Sequence, residues 1–117
     1  MISNGIDLVD INRFEKLKID KNFMNKIFSN NEIAYINKSF GASSTIAGMF
    51  AAKEAFLKAN KKGINNYSLK DIEISHDDNN APSIILHNDL KNIKYKSISL
   101  SISNEKEYAI AIVSLLF

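Results

Sequence analysis

The sequence contains no cysteine. That excludes a disulfide framework, a thiolate metal site and a cysteine nucleophile, and it makes the cytoplasm the default compartment. Arginine occurs once, at Arg13. A chain so poor in arginine, without basic and aromatic residues clustered together, is a weak candidate for nucleic-acid recognition, and it lacks the stacking-aromatic motif of a small RNA-binding domain. No apolar run approaches the roughly 20 residues that a membrane helix needs; the mostly apolar stretch Glu107 to Phe117 has the length of a strand. The opening MISNGIDLVDINRF lacks the basic and apolar regions of a signal peptide. Charge is nearly balanced, with 15 basic and 13 acidic side chains and a net charge of +2. Such a surface suits anionic partners without demanding them.

What is present is enough for one folded unit. The 117 residues are 45% hydrophobic, which predicts a single domain, 1–117, with its own core. Neither an internal repeat nor a long linker interrupts it. Ile2, Ile6, Leu8 and Val9 around Gly5 predict a strand over residues 2–10. Ile11, Phe14 and Leu17 have helical spacing, as do Phe23, Met24, Ile27 and Phe28 in the stretch Lys21 to Phe28. Asn30-Asn31-Glu32 is a cap signal for a short helix through Asn37, and Gly41 breaks the pattern. Ser43, Ser44 and Thr45 are candidate N-caps for the longest helix, running to about Asn60. Lys61-Lys62-Gly63 would close that helix with basic residues and a left-handed glycine.

In the second half the period falls to two. Asp71 to Ser75 alternates, Asp77 to Asn80 is a turn, and Pro82 introduces the run SIILH. Residues 88–94 fit neither period. Lys96 to Ser103 places Ile98, Leu100 and Ile102 on one face and serines on the other. Asn104-Glu105-Lys106 is read as the turn before a last strand, Tyr108 to Leu116. Helices followed by antiparallel strands make an α+β fold. The last strand is apolar on both faces, which requires cover on both sides, either from helices or from another subunit.

The central helix carries the strongest chemical signal, in the segment FAAKEAFLKA, residues 50–59. On a helical wheel Ile46, Met49, Phe50, Phe56 and Leu57 share one arc, and alanines fill most of the rest. A helix apolar nearly all round is a buried one, and Gly48 would let a neighbour approach closely. Only Lys53, Glu54 and Lys58 are charged. Lys53 projects from the large apolar arc, whereas Glu54 and Lys58 stand one turn apart in the favoured order of an i, i+4 pair. A solvated stripe is one reading; a site for ions or a charged substrate is the other, because unpaired buried charge is costly. Asp7 interrupts the first strand on the face it shares with Val9, and by itself reads as an edge-strand carboxylate or a local cap rather than as a site residue. His76 and His87 read as surface or strand-end residues.

GIDLVDINRF, FAAKEAFLKA and SISNEKEYAIAIV stand in an order and spacing similar to those of the short bacterial holo-acyl-carrier-protein synthases, a 4′-phosphopantetheinyl transferase family. The resemblance spans nearly the whole chain. It implies a phosphopantetheinyl transferase-like fold and Mg²⁺-dependent transfer of phosphopantetheine from coenzyme A to a serine of apo-acyl carrier protein, in fatty acid biosynthesis. By that resemblance Asp7 and Glu54 are the metal ligands, and Glu54 and Lys58 the catalytic pair. Lys53, Lys58 and Asn104 are expected to contact coenzyme A. Arg13 would meet the acidic carrier, amid a basic surface of Lys16, Lys18, Lys21 and Lys26, and the assembly would be a cytoplasmic homotrimer with sites between subunits. The chain departs from the family pattern at Asn104, where a histidine is frequent, at Met49, where an arginine is common, and at Asn79-Asn80-Ala81-Pro82, which lacks a usual glycine. A non-catalytic binder of coenzyme A or of the carrier is the rival that these departures leave open.

Overall fold

The computed structural model describes residues 1–61 and 66–117. Among them are four α-helices and five strands in an α+β arrangement. Strand β1 (Ile2–Asp10) leads through a 3₁₀ turn at Ile11–Arg13 into α1 (Phe14–Leu17), α2 (Lys21–Ile27), α3 (Asn30–Lys38) and α4 (Ala42–Ala59). Strands β2 (Ile72–His76), β3 (Pro82–Leu86), β4 (Ser97–Glu105) and β5 (Tyr108–Leu116) follow, and the ambiguous residues become a 3₁₀ turn at Asn88–Asn92.

The strands form two antiparallel sheets, β1-β5-β4 and β2-β3. Strand β5 is central in the larger sheet, with Asp7 opposite Ala111 and Ala111 opposite Ile102. Its Ala109, Ala111, Val113 and Leu115 point inward and are buried. Helix α4 lies across that inner face. Gly5 sets how closely: a Cβ there would fall 1.9 Å from the carbonyl oxygen of Ala55 and 2.5 Å from the amide nitrogen of Ala59. Ser3 locks the same crossing by donating its hydroxyl to the Ala59 carbonyl, 2.7 Å away. At Gly48 an added Cβ would stand 2.8 Å from the Ile102 side chain, so this glycine also admits a neighbour.

The long helix is as apolar and buried as its wheel predicts, but its start differs. It begins at Ala42 with Gly41 as N-cap and no side-chain cap, and Ser43, Ser44 and Thr45 lie within its first turn. Ser44 instead donates back to the Gly41 carbonyl. Likewise α3 is capped one residue earlier than expected. Ser29 accepts the Glu32 amide and Glu32 accepts the Ser29 amide, a reciprocal capping box. The expected turn at Asn104 is also shifted: β4 continues through Glu105, and the reversal falls at Lys106, whose φ is 36°. At its far end α4 stops at Asn60, the C-cap. Lys62 and Gly63, the expected basic and glycine stop, lie outside the described residues.

The last strand is covered on one side only. Tyr108, Ile112 and Leu116 of β5 and Ile2, Ile6 and Leu8 of β1 are exposed, from 38% to 67%. They lie in register as Ile2–Leu116, Ile6–Ile112, Leu8–Ile110 and Asp10–Tyr108. No helix of the described residues is long and apolar enough to cross a membrane.

Candidate functional site

Asp7 sits on the inner face of β1, two residues beyond the Gly5 contact with α4. That close crossing brings it against the helix. Lys58, in the last turn of α4, reaches back over the strand. Its Nζ donates to Asp7 Oδ1 at 2.9 Å and to the Ile6 carbonyl at 3.0 Å. The predicted i, i+4 pair with Glu54 is therefore not formed, because the lysine finds a carboxylate and a carbonyl together on β1. The Lys58 side chain stays 55% exposed while that of Asp7 is 14% exposed, so the pair stands at the surface with its cation outward.

Glu54 lies beside this pair and is half-buried. Burial raises the Glu54 carboxyl above the ordinary carboxylate range, and the negative charge of Asp7 pushes the same way; Lys58 and Arg13 oppose it. Arg13 arrives from the 3₁₀ turn after β1. Its guanidinium lies 5.1 Å from the centre of the Phe50 ring and 5.5 Å from that of Phe14, a stacked placement typical of cation–π contacts. Asp7, Glu54, Lys58 and Arg13 thus gather where β1, its following turn and α4 meet.

The donor set at this place suits Mg²⁺. Two carboxylates close enough for one to raise the other's pKa hold negative charge that a divalent cation would relieve. Mg²⁺ takes one or two carboxylates together with substrate phosphate oxygens and waters, not an all-protein cage. Among the described residues no group of three or more His, Cys, Asp or Glu converges, so any metal here would keep open positions.

Lys53 is not part of this cluster. Its side chain is fully buried, and its Nζ donates to Glu32 Oε1 at 2.8 Å, to the Leu69 carbonyl at 2.8 Å and to the Ile72 carbonyl at 2.7 Å. The ammonium also lies 5.3 Å from the centre of the Phe28 ring. All three of its protons are used, and none is left for a coenzyme A phosphate. The expected contact of Lys53 with coenzyme A thus draws no support from this arrangement. Burial lowers the Lys53 pKa and raises that of Glu32, each against the pull of the other's charge. Glu32, which motif reasoning missed as a partner, lies 21 positions away. Its local signal was the Ser29-x-x-Glu32 spacing of a capping box.

Asn104 faces a different depression. A cavity of about 150 Å³ is lined by Gly48, Met49, Ile102, Asn104, His76 and Tyr35, among others, and contains none of the carboxylate-cluster residues. The Tyr35 and His76 rings stack there, with centroids 3.8 Å apart and planes inclined by 3°. Burial lowers the His76 pKa, so the wall is uncharged near neutral pH. His76 is thus a strand-end residue, as expected. His87 follows β3 and meets Glu73 at 3.2 Å. Met49 and Asn104 line this one pocket together with Asn80 and Pro82 of the third departure from the family pattern. Lys16, Lys21 and Lys26 are exposed around the N-terminal helices, and Lys18 pairs with Glu15 at 3.0 Å.

Comparison with known proteins shows what the chain is similar to. Residues 3–113 match the family model of the 4′-phosphopantetheinyl transferase superfamily. A holo-acyl-carrier-protein synthase of Caldicellulosiruptor saccharolyticus is 42% identical, over 95% of this chain and 94% of the relative. That of Clostridium acetobutylicum is 43% identical, over 92% and 90%. Among solved structures, the holo-acyl-carrier-protein synthase of Neisseria meningitidis superposes with a TM-score of 0.88 at 30% identity, covering all of both chains. The Helicobacter pylori enzyme in complex with coenzyme A superposes with a TM-score of 0.83 at 39% identity, over 98% of this chain and 99% of the other.

Proposed function

The chain belongs to the 4′-phosphopantetheinyl transferase superfamily, among its holo-acyl-carrier-protein synthases, and from that membership we propose that it transfers 4′-phosphopantetheine from coenzyme A to a serine of apo-acyl carrier protein. The single observation that carries the mechanism is the convergence of Asp7, Glu54 and Lys58 where β1 crosses α4. In this reading the serine Oγ forms a bond to the pantetheine-bearing phosphorus of coenzyme A. The bond from that phosphorus to the bridging oxygen breaks, and adenosine 3′,5′-bisphosphate leaves with the electron pair.

Glu54 accepts the serine proton. Lys58, held by Asp7 and the Ile6 carbonyl, offers the exposed end of its ammonium to the diphosphate oxygens as charge builds on them. Asp7 orients Lys58, and with Glu54 it would hold Mg²⁺, which would supply charge neutralisation of the diphosphate. Asn104 would contribute a neutral amide to coenzyme A from the separate pocket. Arg13, exposed beside Glu54, would meet an acidic face of the carrier.

The rest of the reading is larger in scale. We infer one domain, 1–117, acting in the cytoplasm in fatty acid biosynthesis, as a homotrimer. The uncovered apolar face of β1 and β5 supports assembly, since a face of that kind is an interaction surface by default. The separation of the Asn104 pocket from the carboxylate cluster within one chain supports a site completed between neighbouring subunits.

Release of adenosine 3′,5′-bisphosphate, measured against consumption of apo-carrier, tests the reading. A one-to-one ratio that requires the carrier serine is expected. Binding of coenzyme A and carrier without release would instead favour the non-catalytic binder.

A further inference from the structure

Glu54 receives no hydrogen bond from any described residue. Its carboxylate therefore has no tether of its own, and its position follows from how α4 is rotated about its axis. Side-chain tips stand about 5–6 Å from a helix axis, so a rotation of roughly 10° would move the carboxylate by about 1 Å. Misplacement on that scale can cost on the order of 10²-fold in rate. Something must hold the rotation, and the neighbouring residue on the helix is Lys53.

Lys53 is tied to three different elements at once. Its acceptors are Glu32 of α3, the Leu69 carbonyl in the 3₁₀ turn Leu69–Asp71, and the Ile72 carbonyl at the start of β2. Glu32 is equally committed. Besides the lysine it accepts the Ser29 amide on Oε1 and the Ile74 amide on Oε2, both at 2.9 Å. The pair thus joins α4 to α3 and to the β2-β3 sheet on one side. On the other side α4 rests against Gly5 and is tied to β1 through Lys58. Close packing of Ile46, Met49 and Phe56 resists displacement of the helix, and directed bonds to fixed acceptors add a constraint on its rotation. A buried ion pair adds little net stability over apolar packing of the same volume. Its contribution here is geometrical.

We propose that Lys53 and Glu32 form a buried positioning pair that fixes the rotation of α4, and through it the placement of Glu54 and Lys58. Lys53 serves the reaction without touching coenzyme A. The proposal rests on the transferase reading, and the test keeps the two apart: absence of turnover in the unaltered protein would count against that reading, whereas the variants bear on the pair.

The variants are Lys53→Met, Glu32→Gln and the two together. The measurements are kcat and KM for coenzyme A, the coenzyme A dissociation constant by calorimetry, and the thermal midpoint. Each single change is expected to lower kcat at least tenfold while the coenzyme A constants stay within threefold. The double variant, which leaves no uncompensated buried charge, is expected to fold at least as stably as the weaker single variant and to keep the low kcat. If a single variant fails to fold, the double variant decides. A tenfold or greater weakening of coenzyme A binding in Lys53→Met, with Glu32→Gln unaffected, would overturn the proposal by making Lys53 a substrate contact. A double variant with unaltered kcat would overturn it by making the pair dispensable for placement.

Discussion

Asp7, Glu54 and Lys58 behave as one electrostatic unit, and each has a separable signature. Glu54→Gln and Asp7→Asn should each lower kcat by about 10²-fold or more while leaving the fold intact by circular dichroism. Equal activity in both variants would remove the proposed centre. Without metal, burial and the charge of Asp7 raise the Glu54 carboxyl above the usual carboxylate range; a Mg²⁺ ion held by the same carboxylates would favour the charged form, so Mg²⁺ affinity should weaken as pH falls, and Glu54→Gln should flatten that dependence. Stability runs the opposite way. A carboxyl whose folded pKa is raised contributes stability that is complete below its unfolded pKa and is lost as pH rises through the folded value. Near neutral pH, then, Glu54→Gln should melt at an equal or higher temperature than the unaltered protein. In the other pocket, Asn104→His should raise kcat/KM several-fold. The gain should grow as pH falls and the imidazole takes a proton, because among the described residues no fixed cation lines that wall.

At the level of elements, the site depends on two contacts of α4. Gly5→Ala would force a methyl group into the Ala55 carbonyl. β1 would have to retreat from the helix, at a cost of about 1–3 kcal/mol, carrying Asp7 away from Lys58. A lower thermal midpoint together with a fall in kcat larger than the stability loss explains is the expected result. Much of this level was legible in the sequence. Period two gave β4 and β5, period 3.6 gave α4, and Gly48 in the helix was read as admitting a neighbour; the closer approach at Gly5 carried no such signal, because it depends on where α4 crosses β1. The strand alternation also put Asp7 on one face with Val9, though only the packing of α4 showed that face to be the inner one. Helix starts were less legible, because Ser29, Asn30, Ser43 and Ser44 are all acceptable caps by residue type and packing chose among them. The partners of Lys53 and Lys58 were not legible at all. Local spacing favoured Glu54 for Lys58, but tertiary packing offered Asp7 and the Ile6 carbonyl. Glu32 and Lys53 meet only because α3 folds against α4.

For the whole molecule, the outer face of β1 and β5 is an apolar surface that a single chain leaves uncovered. The sequence had shown a strand apolar on both sides without saying what covers each; α4 takes one side, and the other remains open. Ile112, opposite Ile6 in the middle of that face, is the place to interfere. Ile112→Lys should reduce the solution mass, read by light scattering, from three copies to one chain of 13.1 kDa. Activity should fall with it if the site is completed between subunits. A mutant that stays trimeric, or a monomer as active as the assembly, would contradict that arrangement. The intact mass of an acyl carrier protein incubated with this protein, coenzyme A and Mg²⁺ decides whether transfer takes place. A gain of one phosphopantetheinyl group on the carrier serine, lost with Glu54→Gln, is expected; an unchanged carrier mass across several apo-carriers would rule the transfer out.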